Sequence, residues 1–398
     1  MTTKPHRTPW GLITLLGALT AMTALSIDMY LPSLPAIAAD LHASAAEAQS
    51  TVAAFLAGMA FGQLLYGPAS DRLGRRPPLI LGSAIFVATS ALCALSVSAP
   101  MLIGARFVQA LGACSGSVIA RAIVRDRFDH TETARMLSLM MLVMGLAPIF
   151  APLIGGALLS LGGWRTIFWV IVGFGVLLSV AILTRLTESR SAETAAHARS
   201  EHPIRAYLSL LSQKRLVGYA LAGALNGATL FTYISSSPQL LIGDYHIAPS
   251  AFGWVFGLNG AGVIGANQLN RYLLRRSTPD EVLGKASYLA VAAAALLMLA
   301  AVTGLGGNAG VLALLFLVLA SYGLMQGNTM AGALNVDPRR AGSISALLGS
   351  FSFAAGALAA AAAGALQDGT PRPMAVVMLV ALAGSALALK TLALPRTA

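Results

Sequence analysis

Long apolar runs separated by short charged loops leave this chain little choice of fold. Twelve runs can be drawn, over 11–38, 48–69, 78–97, 100–124, 134–159, 164–185, 214–240, 250–274, 282–303, 309–333, 341–366 and 372–394. They lie near the ~20 residues that an α-helix needs to cross a bilayer. Backbone groups cannot stay unpaired in hydrocarbon, so only helices and closed barrels span it. Barrel strands alternate over about ten residues, and these runs are longer and do not alternate. Charged residues make up 10% of the chain, against roughly 25% in soluble domains. The sequence therefore predicts an all-α membrane protein with twelve transmembrane helices. The run that starts at Gly11 outlasts the ~7–15 residues of a signal-peptide core, so it is expected to be an uncleaved first span.

The net charge of +11 does not point to nucleic acid, because the basic residues sit in short loops between apolar runs. If Lys4 and Arg7 are cytoplasmic, the outer loops carry only Arg165 and Arg372. That asymmetry predicts that both termini are cytoplasmic. Cys93 and Cys114 lie inside apolar runs and read as small core residues. His130, His197 and His202 are scattered in loops without metal spacing. No phosphate-binding Gly-x-x-x-x-Gly-Lys-Ser/Thr loop occurs, which excludes ATP drive on this chain. No catalytic cluster is visible, so the chain is read as no enzyme, with no metal and no cofactor.

The longest polar stretch, 188–213, divides the chain into an N-terminal six-helix bundle (1–187) and a C-terminal one (214–398). It is expected to be a cytoplasmic linker, partly helical. A weak internal repeat supports the division. Asn270-Arg271-Tyr-Leu-Leu-Arg275-Arg276 echoes Asp71-Arg72-Leu-Gly-Arg75-Arg76, and Arg271 follows Arg72 by 199 residues, half of 398.

The stretch from Gly67 to Pro77 reads Gly-Pro-Ala-Ser-Asp-Arg-Leu-Gly-Arg-Arg-Pro. Gly67 and Gly74 allow close helix approach and a tight turn. Asp71 can pair with nearby arginines or cap a helix. Arg72, Arg75 and Arg76 mark the cytoplasmic side. The order Gly-x-x-x-Asp-Arg-x-Gly-Arg-Arg after a second span resembles the loop motif of the major facilitator superfamily. Two six-helix halves related by an axis along the membrane normal are that family's plan, so the major facilitator fold is the expected one. Arg121, Arg125 and Asp126 are expected to join Asp71 and Arg72 in a cytoplasmic gate, closed in the outward-open state.

Ionisable residues inside the spans need a reason, since each costs about 2.5–3.5 kcal/mol on insertion scales. Asp28, in Leu-Ser-Ile-Asp-Met-Tyr-Leu-Pro, reads as a proton-binding carboxyl facing a central cavity. Its alternative is a structural acid, bonded to backbone freed by Pro32 and Pro35. Arg106 in the fourth segment is a candidate counter-charge for Asp28 or for a polar substrate; its alternative is snorkelling to the outer interface. Tyr30, Gln109, Met144, Asn226, Tyr233 and Asn259 are candidates to line a substrate cavity, although each taken alone fits packing better than ligand contact.

The fifth segment carries Gly145-Leu-Ala-Pro148-Ile-Phe-Ala-Pro152-Leu-Ile-Gly155-Gly156. It resembles the fifth-helix motif that marks antiporters in the superfamily, with Ala147 where a glycine often precedes the proline. Together with the motifs above, this looks like the Bcr/CflA group of drug–proton antiporters, associated with bicyclomycin, chloramphenicol and sulfonamide resistance. The resemblance implies a monomeric proton-coupled exporter of the bacterial inner membrane, with the proton as coupling ion, Asp28 as coupling acid and Arg106 as a motif residue. Related exporters often carry a second acid where this chain has Thr20, so small neutral or weakly polar drugs suit the site better than cations. The alternative cargo is an endogenous metabolite such as a dipeptide or amino-acid derivative.

Overall fold

The computed structural model describes residues 10–192, 194–196 and 203–394, without the side chains of residues 10, 130, 131, 134, 135, 138, 141 and 203. Lys4, Arg7, His197, His202 and the centre of the 188–213 linker lie outside the described residues, as does the His130 side chain. Among the described residues fourteen α-helices can be bounded, in order: α1 Trp10–Asp28, α2 Leu34–Asp40, α3 Ala45–Leu73, α4 Arg76–Ala94, α5 Ala99–Arg127, α6 His130–Gly162, α7 Trp164–Arg185, α8 Pro203–Leu211, α9 Lys214–Pro238, α10 Pro249–Leu273, α11 Pro279–Thr303, α12 Gly307–Val336, α13 Ala341–Ala365 and α14 Arg372–Ala388. All but α2 and α8 are long, so each of the twelve apolar segments holds one long helix.

Ten of the spans are long and apolar enough to cross a membrane by length and hydropathy. The other two long helices, α9 and α10, are diluted by Asn226, Thr229, Thr232 and Ser235–Ser237 in one and by Asn259, Asn267 and Asn270 in the other. Most of the polar residues of α9 are buried inside the protein, where they have partners other than lipid.

The first span is broken. Helix α1 ends at Asp28, a 3₁₀ turn covers Leu31–Ser33, and α2 resumes at Leu34. Pro32 and Pro35 have no N–H to give to the carbonyls of Asp28 and Leu31, four residues back, so the α ladder stops there. Elsewhere the helix ends carry ordinary signals. Ser44 and Glu47 form a capping box at the start of α3, and Thr278 and Glu281 form another at α11. Gly74, at φ +100, turns α3 into α4.

The packing repeats itself. In the first half α3 and α4 pack on α5, α4 on α7, and α1 on α5 and α6. In the second half α10 and α11 pack on α12, α11 on α14, and α9 on α12 and α13. Each of these pairings maps onto its counterpart when α1 and α3–α7 are set against α9–α14. The halves meet mainly through α3 against α13 and α6 against α10.

Candidate functional site: a buried acid at a helix break and an ionic lattice at one mouth

Arg75 is the centre of the α3–α4 loop. Its side chain is only 5% exposed. It pairs with Asp71, donates to Ser70 Oγ at 2.9 Å, and grips Asp126 through Nε at 2.7 Å and Nη2 at 3.3 Å. Burial works against its charge, but the two carboxylates hold the guanidinium above its ordinary range. The loop is also clamped from the linker. Glu188 accepts from the backbone N–H groups of Arg75 (2.8 Å), Arg76 (3.1 Å), Ser189 (2.9 Å) and Arg190 (2.9 Å). It thus sits on the N-terminus of α4, where a negative charge is favoured. Arg190 in turn donates to the carbonyls of Asp71 and Arg72 at the end of α3. Glu188 and Arg190 were legible only as polar residues following a span; the amides and carbonyls of the α3–α4 loop that they bind lie more than a hundred residues earlier.

Partial burial pushes the Glu188 carboxyl up, but its four amide donors hold it below the ordinary glutamate value of 4.5. A depressed folded value stabilises the protein above 4.5 and loses that contribution as pH falls through the folded value. Glu188→Gln is therefore expected to lower the thermal midpoint at pH 7. The gap should close as wild type and variant are compared from pH 5 down to pH 3.

The motif residues divide between lattice and cavity. Asp71, Arg75 and Asp126 form the lattice, while the backbone of Arg76 binds Glu188 and its Nη2 reaches Leu183 O at 2.8 Å. Gly67, Asp71, Arg72, Arg75, Arg121 and Arg125 line a cavity of about 400 Å³, with Arg339 and Arg340 of the second half across from them. Arg125 faces this cavity and takes no part in the lattice. Gly67 does not serve close helix packing here: a Cβ added to it would meet nothing within 4 Å, because it faces the cavity. At Gly74, by contrast, a Cβ would meet Glu188 at 2.6 Å.

At the repeat of this loop in the second half the tie between helices is made by neutral amides. Asn270 and Asn328 exchange amide hydrogen bonds of 2.8 and 3.3 Å between α10 and α12. Among the described residues, the buried charged side chains Asp28, Arg75 and Arg106 all belong to the first half.

Asp28 sits at the break of the first span, 5% exposed. No hydrogen bond ties it to the backbone that Pro32 and Pro35 free, and Arg106 is not its counter-charge in this structure. Arg106 is fully buried and does not snorkel to an interface. Its guanidinium lies over the rings of Phe55 at 4.3 Å and Tyr30 at 4.5 Å, with Phe168 at 5.9 Å. Nη1 donates to Gln109 Oε1 at 2.6 Å, and Gln109 Nε2 donates to Ser90 Oγ at 2.8 Å. Aromatic faces and a neutral amide thus take the place of the carboxylate.

Helix α6 links the break to the second half. A Cβ at Gly155 would collide with the carbonyl of Met29, the residue after Asp28; one at Gly156 would meet Pro249 O, at the start of α10, at 2.8 Å. Gly145 faces Ile264 and Pro148 faces Gly260, both on α10; Pro152 is buried in the same helix. Gly155 and Gly156 therefore seat α6 on backbone at both sides, while Gly145 and Pro148 face α10 at ordinary van der Waals distance.

The candidate cavity residues do not converge here. Tyr30 and Gln109 are built into the surroundings of Arg106, with Tyr30 also bonded to Thr51. Tyr233 accepts from Asn259 at 2.8 Å and stacks on Phe256. Asn226 reaches Gln326 at 3.5 Å, and Met144 is 42% exposed. None of the six lines the 400 Å³ cavity. At the opposite end the halves are closed. Gln49 Nε2 is within 2.9–3.2 Å of Ser236 Oγ, Ser235 Oγ and Ala360 O, and Ser350 donates to Ala60 O at 2.9 Å further along the same interface.

Comparison with known proteins agrees with this architecture. The family model described as Major Facilitator Superfamily matches residues 16–361. An uncharacterized MFS-type transporter of Bacillus subtilis is 36% identical over 374 residues, 92% of this chain and 91% of that protein. A bicyclomycin resistance protein homolog of Haemophilus influenzae is 31% identical over 363 residues, 91% of each chain. The multidrug resistance protein MdtL of Escherichia coli is 35% identical over 56% of each chain. Among solved structures, a D-xylose–proton symporter superposes with a TM-score of 0.75 over 97% of this chain and 98% of that one, at 12% identity. An inward-facing bacterial homolog of the lysosomal transporter Spinster gives 0.71 over 98% and 96%, at 15% identity. The chain is a multi-pass transporter, not an enzyme, and it belongs to the Major Facilitator Superfamily, where it is of the Bcr/CflA type.

Proposed function

We propose that this transporter is a proton-coupled antiporter of the bacterial inner membrane that exports small neutral or weakly polar drugs of the chloramphenicol, bicyclomycin or sulfonamide type by alternating access. The observation that carries the reading is Asp28: a buried carboxyl at a helix break, with no cation or donor among the described residues to hold its charge. A carboxyl at membrane depth is a functional group by default, and taking up a proton removes its charge. The drug class rests on the relatives named for bicyclomycin and multidrug resistance.

The contacts around Asp28 supply a route for coupling. Met29 follows it and lies against Gly155, while Gly156 lies against the first residue of α10. A change in charge at the break acts on the carbonyl seated on α6, and α6 carries the contact to the other half. The arginine-rich mouth faces the cytoplasm in this reading, by the positive-inside rule, with both termini on the same side. The present state admits cargo there while the Gln49 contacts close the outer end; one chain is sufficient for the cycle.

The test is transport by the full-length protein in everted membrane vesicles, with chloramphenicol as cargo and an imposed proton gradient. Wild type is expected to accumulate drug against its gradient. Asp28→Asn should lose at least nine-tenths of that uphill transport. Uphill accumulation by the variant at the wild-type rate would overturn the assignment of Asp28.

A further inference from the structure

The cavity at the arginine-rich mouth holds more positive charge than the described residues neutralise. The described residues lining it contribute six guanidinium groups and one carboxylate, Asp71. That carboxylate is already engaged by Arg75, which also takes Asp126. Arg340 has Asp337 at 4.0 Å. Arg121, Arg125 and Arg339 have no carboxylate partner among the described residues, and all three are exposed to the cavity. Arg121 and Arg125 lie one turn apart on α5, an arrangement that destabilises a helix when the charges are alike. Nε of Arg121 is spent on its own helix, on Ser117 O at 2.9 Å.

Orientation in the membrane does not require this arrangement. The positive-inside rule is met by basic residues in solvated loops, whereas Arg121 and Arg125 belong to a spanning helix and point into the space between the halves. Arg125 crosses that space: its Nη1 lies 3.8 Å from where a Cβ on Gly342, in the first turn of α13, would be. Arg339 precedes the same helix. A guanidinium is a planar fork of donors that fits a carboxylate or a phosphate, and the volume of about 400 Å³ lies in the range of small-molecule sites.

We propose that this mouth is a binding site for an organic anion, whose carboxylate or phosphate group is held between Arg121 and Arg125 of one half and Arg339 of the other. The bound anion neutralises cations that face each other across the opening. The group can come from a soluble metabolite or from an anionic lipid headgroup, and the site stands whether or not Asp28 carries the coupling proton.

The experiment is thermal unfolding of the full-length protein in phosphatidylcholine nanodiscs, titrated with citrate, with inorganic phosphate, or with sodium chloride at matched ionic strength. A ligand that binds only the folded state raises the midpoint in a saturable way. Citrate or phosphate should do so and chloride should not. In the double variant Arg125→Gln, Arg339→Gln the half-saturating concentration should rise at least tenfold. Gly342→Asp gives an independent variant, since it sets a carboxylate beside Arg125 where there is room for a side chain. It should fold with a raised midpoint and respond at least tenfold more weakly to citrate. In discs that contain phosphatidylglycerol, loss of the citrate response would identify the lipid headgroup as the occupant, and an unchanged response a soluble anion. Citrate and phosphate acting no differently from chloride on wild type would overturn the site, as would a wild-type response in both variants.

Discussion

Arg75→Ala is expected to cost about 3 kcal/mol of stability, the lower end of what removal of one partner of a buried ion pair costs. The lower end applies because Asp71 is 42% exposed and its loss of a partner is screened, whereas Asp126 is 11% exposed and is left against α5 with its charge uncompensated. The substitution also unseats the loop that Glu188 and Arg190 hold, so transport should fall at least tenfold. Thermal unfolding in detergent and drug accumulation in vesicles check the two effects. Arg75→Lys separates charge from geometry. A lysine cannot bind two carboxylates with a rigid fork, so it should recover part of the stability and little of the transport. Full recovery by lysine would mean that charge alone suffices there.

Gly155→Leu carries the second large effect. The backbone carbonyl of Met29 occupies the place of the new Cβ, and a carbonyl at a helix break cannot yield like a flexible side chain. Either α1 or α6 must move, at a cost of about 1–3 kcal/mol or more for overpacking. Uphill transport should be lost, because the same contact joins Asp28 to the second half. Gly104→Leu is the matched control, since a Cβ at Gly104 meets nothing within 4 Å; it should keep both folding and transport. Equal transport by the two variants would remove α6 from the coupling route.

The fold was legible because hydropathy is a property of single stretches. Twelve apolar runs yielded twelve long helices, including α9 and α10, whose polar residues lower their hydropathy without shortening them. The Gly67–Pro77 motif contains Asp71 and Arg75, and the structure brings Asp126 to the same guanidinium while Arg125 faces the cavity. Other features depend on encounters that no spacing encodes. The rings around Arg106 come from three separate parts of the chain, the break before α2, α3 and α7, so a sequence shows a buried arginine and suggests the nearest acid. Glu188 binds backbone amides, which every residue has, so nothing in the residue types around Arg75 announces it. Gly67 illustrates a third case: the glycine was visible, but whether it faces a helix or a cavity depends on how the two halves stand.

The central claim is that Asp28 exchanges a proton for drug. Its most direct measurement is drug-induced proton release from the full-length detergent-purified protein, wild type against Asp28→Asn, in weakly buffered solution with chloramphenicol, a sulfonamide and bicyclomycin. The account predicts a pulse of released protons from wild type with at least one of the three compounds, and none from the variant. The same pulse from folded Asp28→Asn would contradict it.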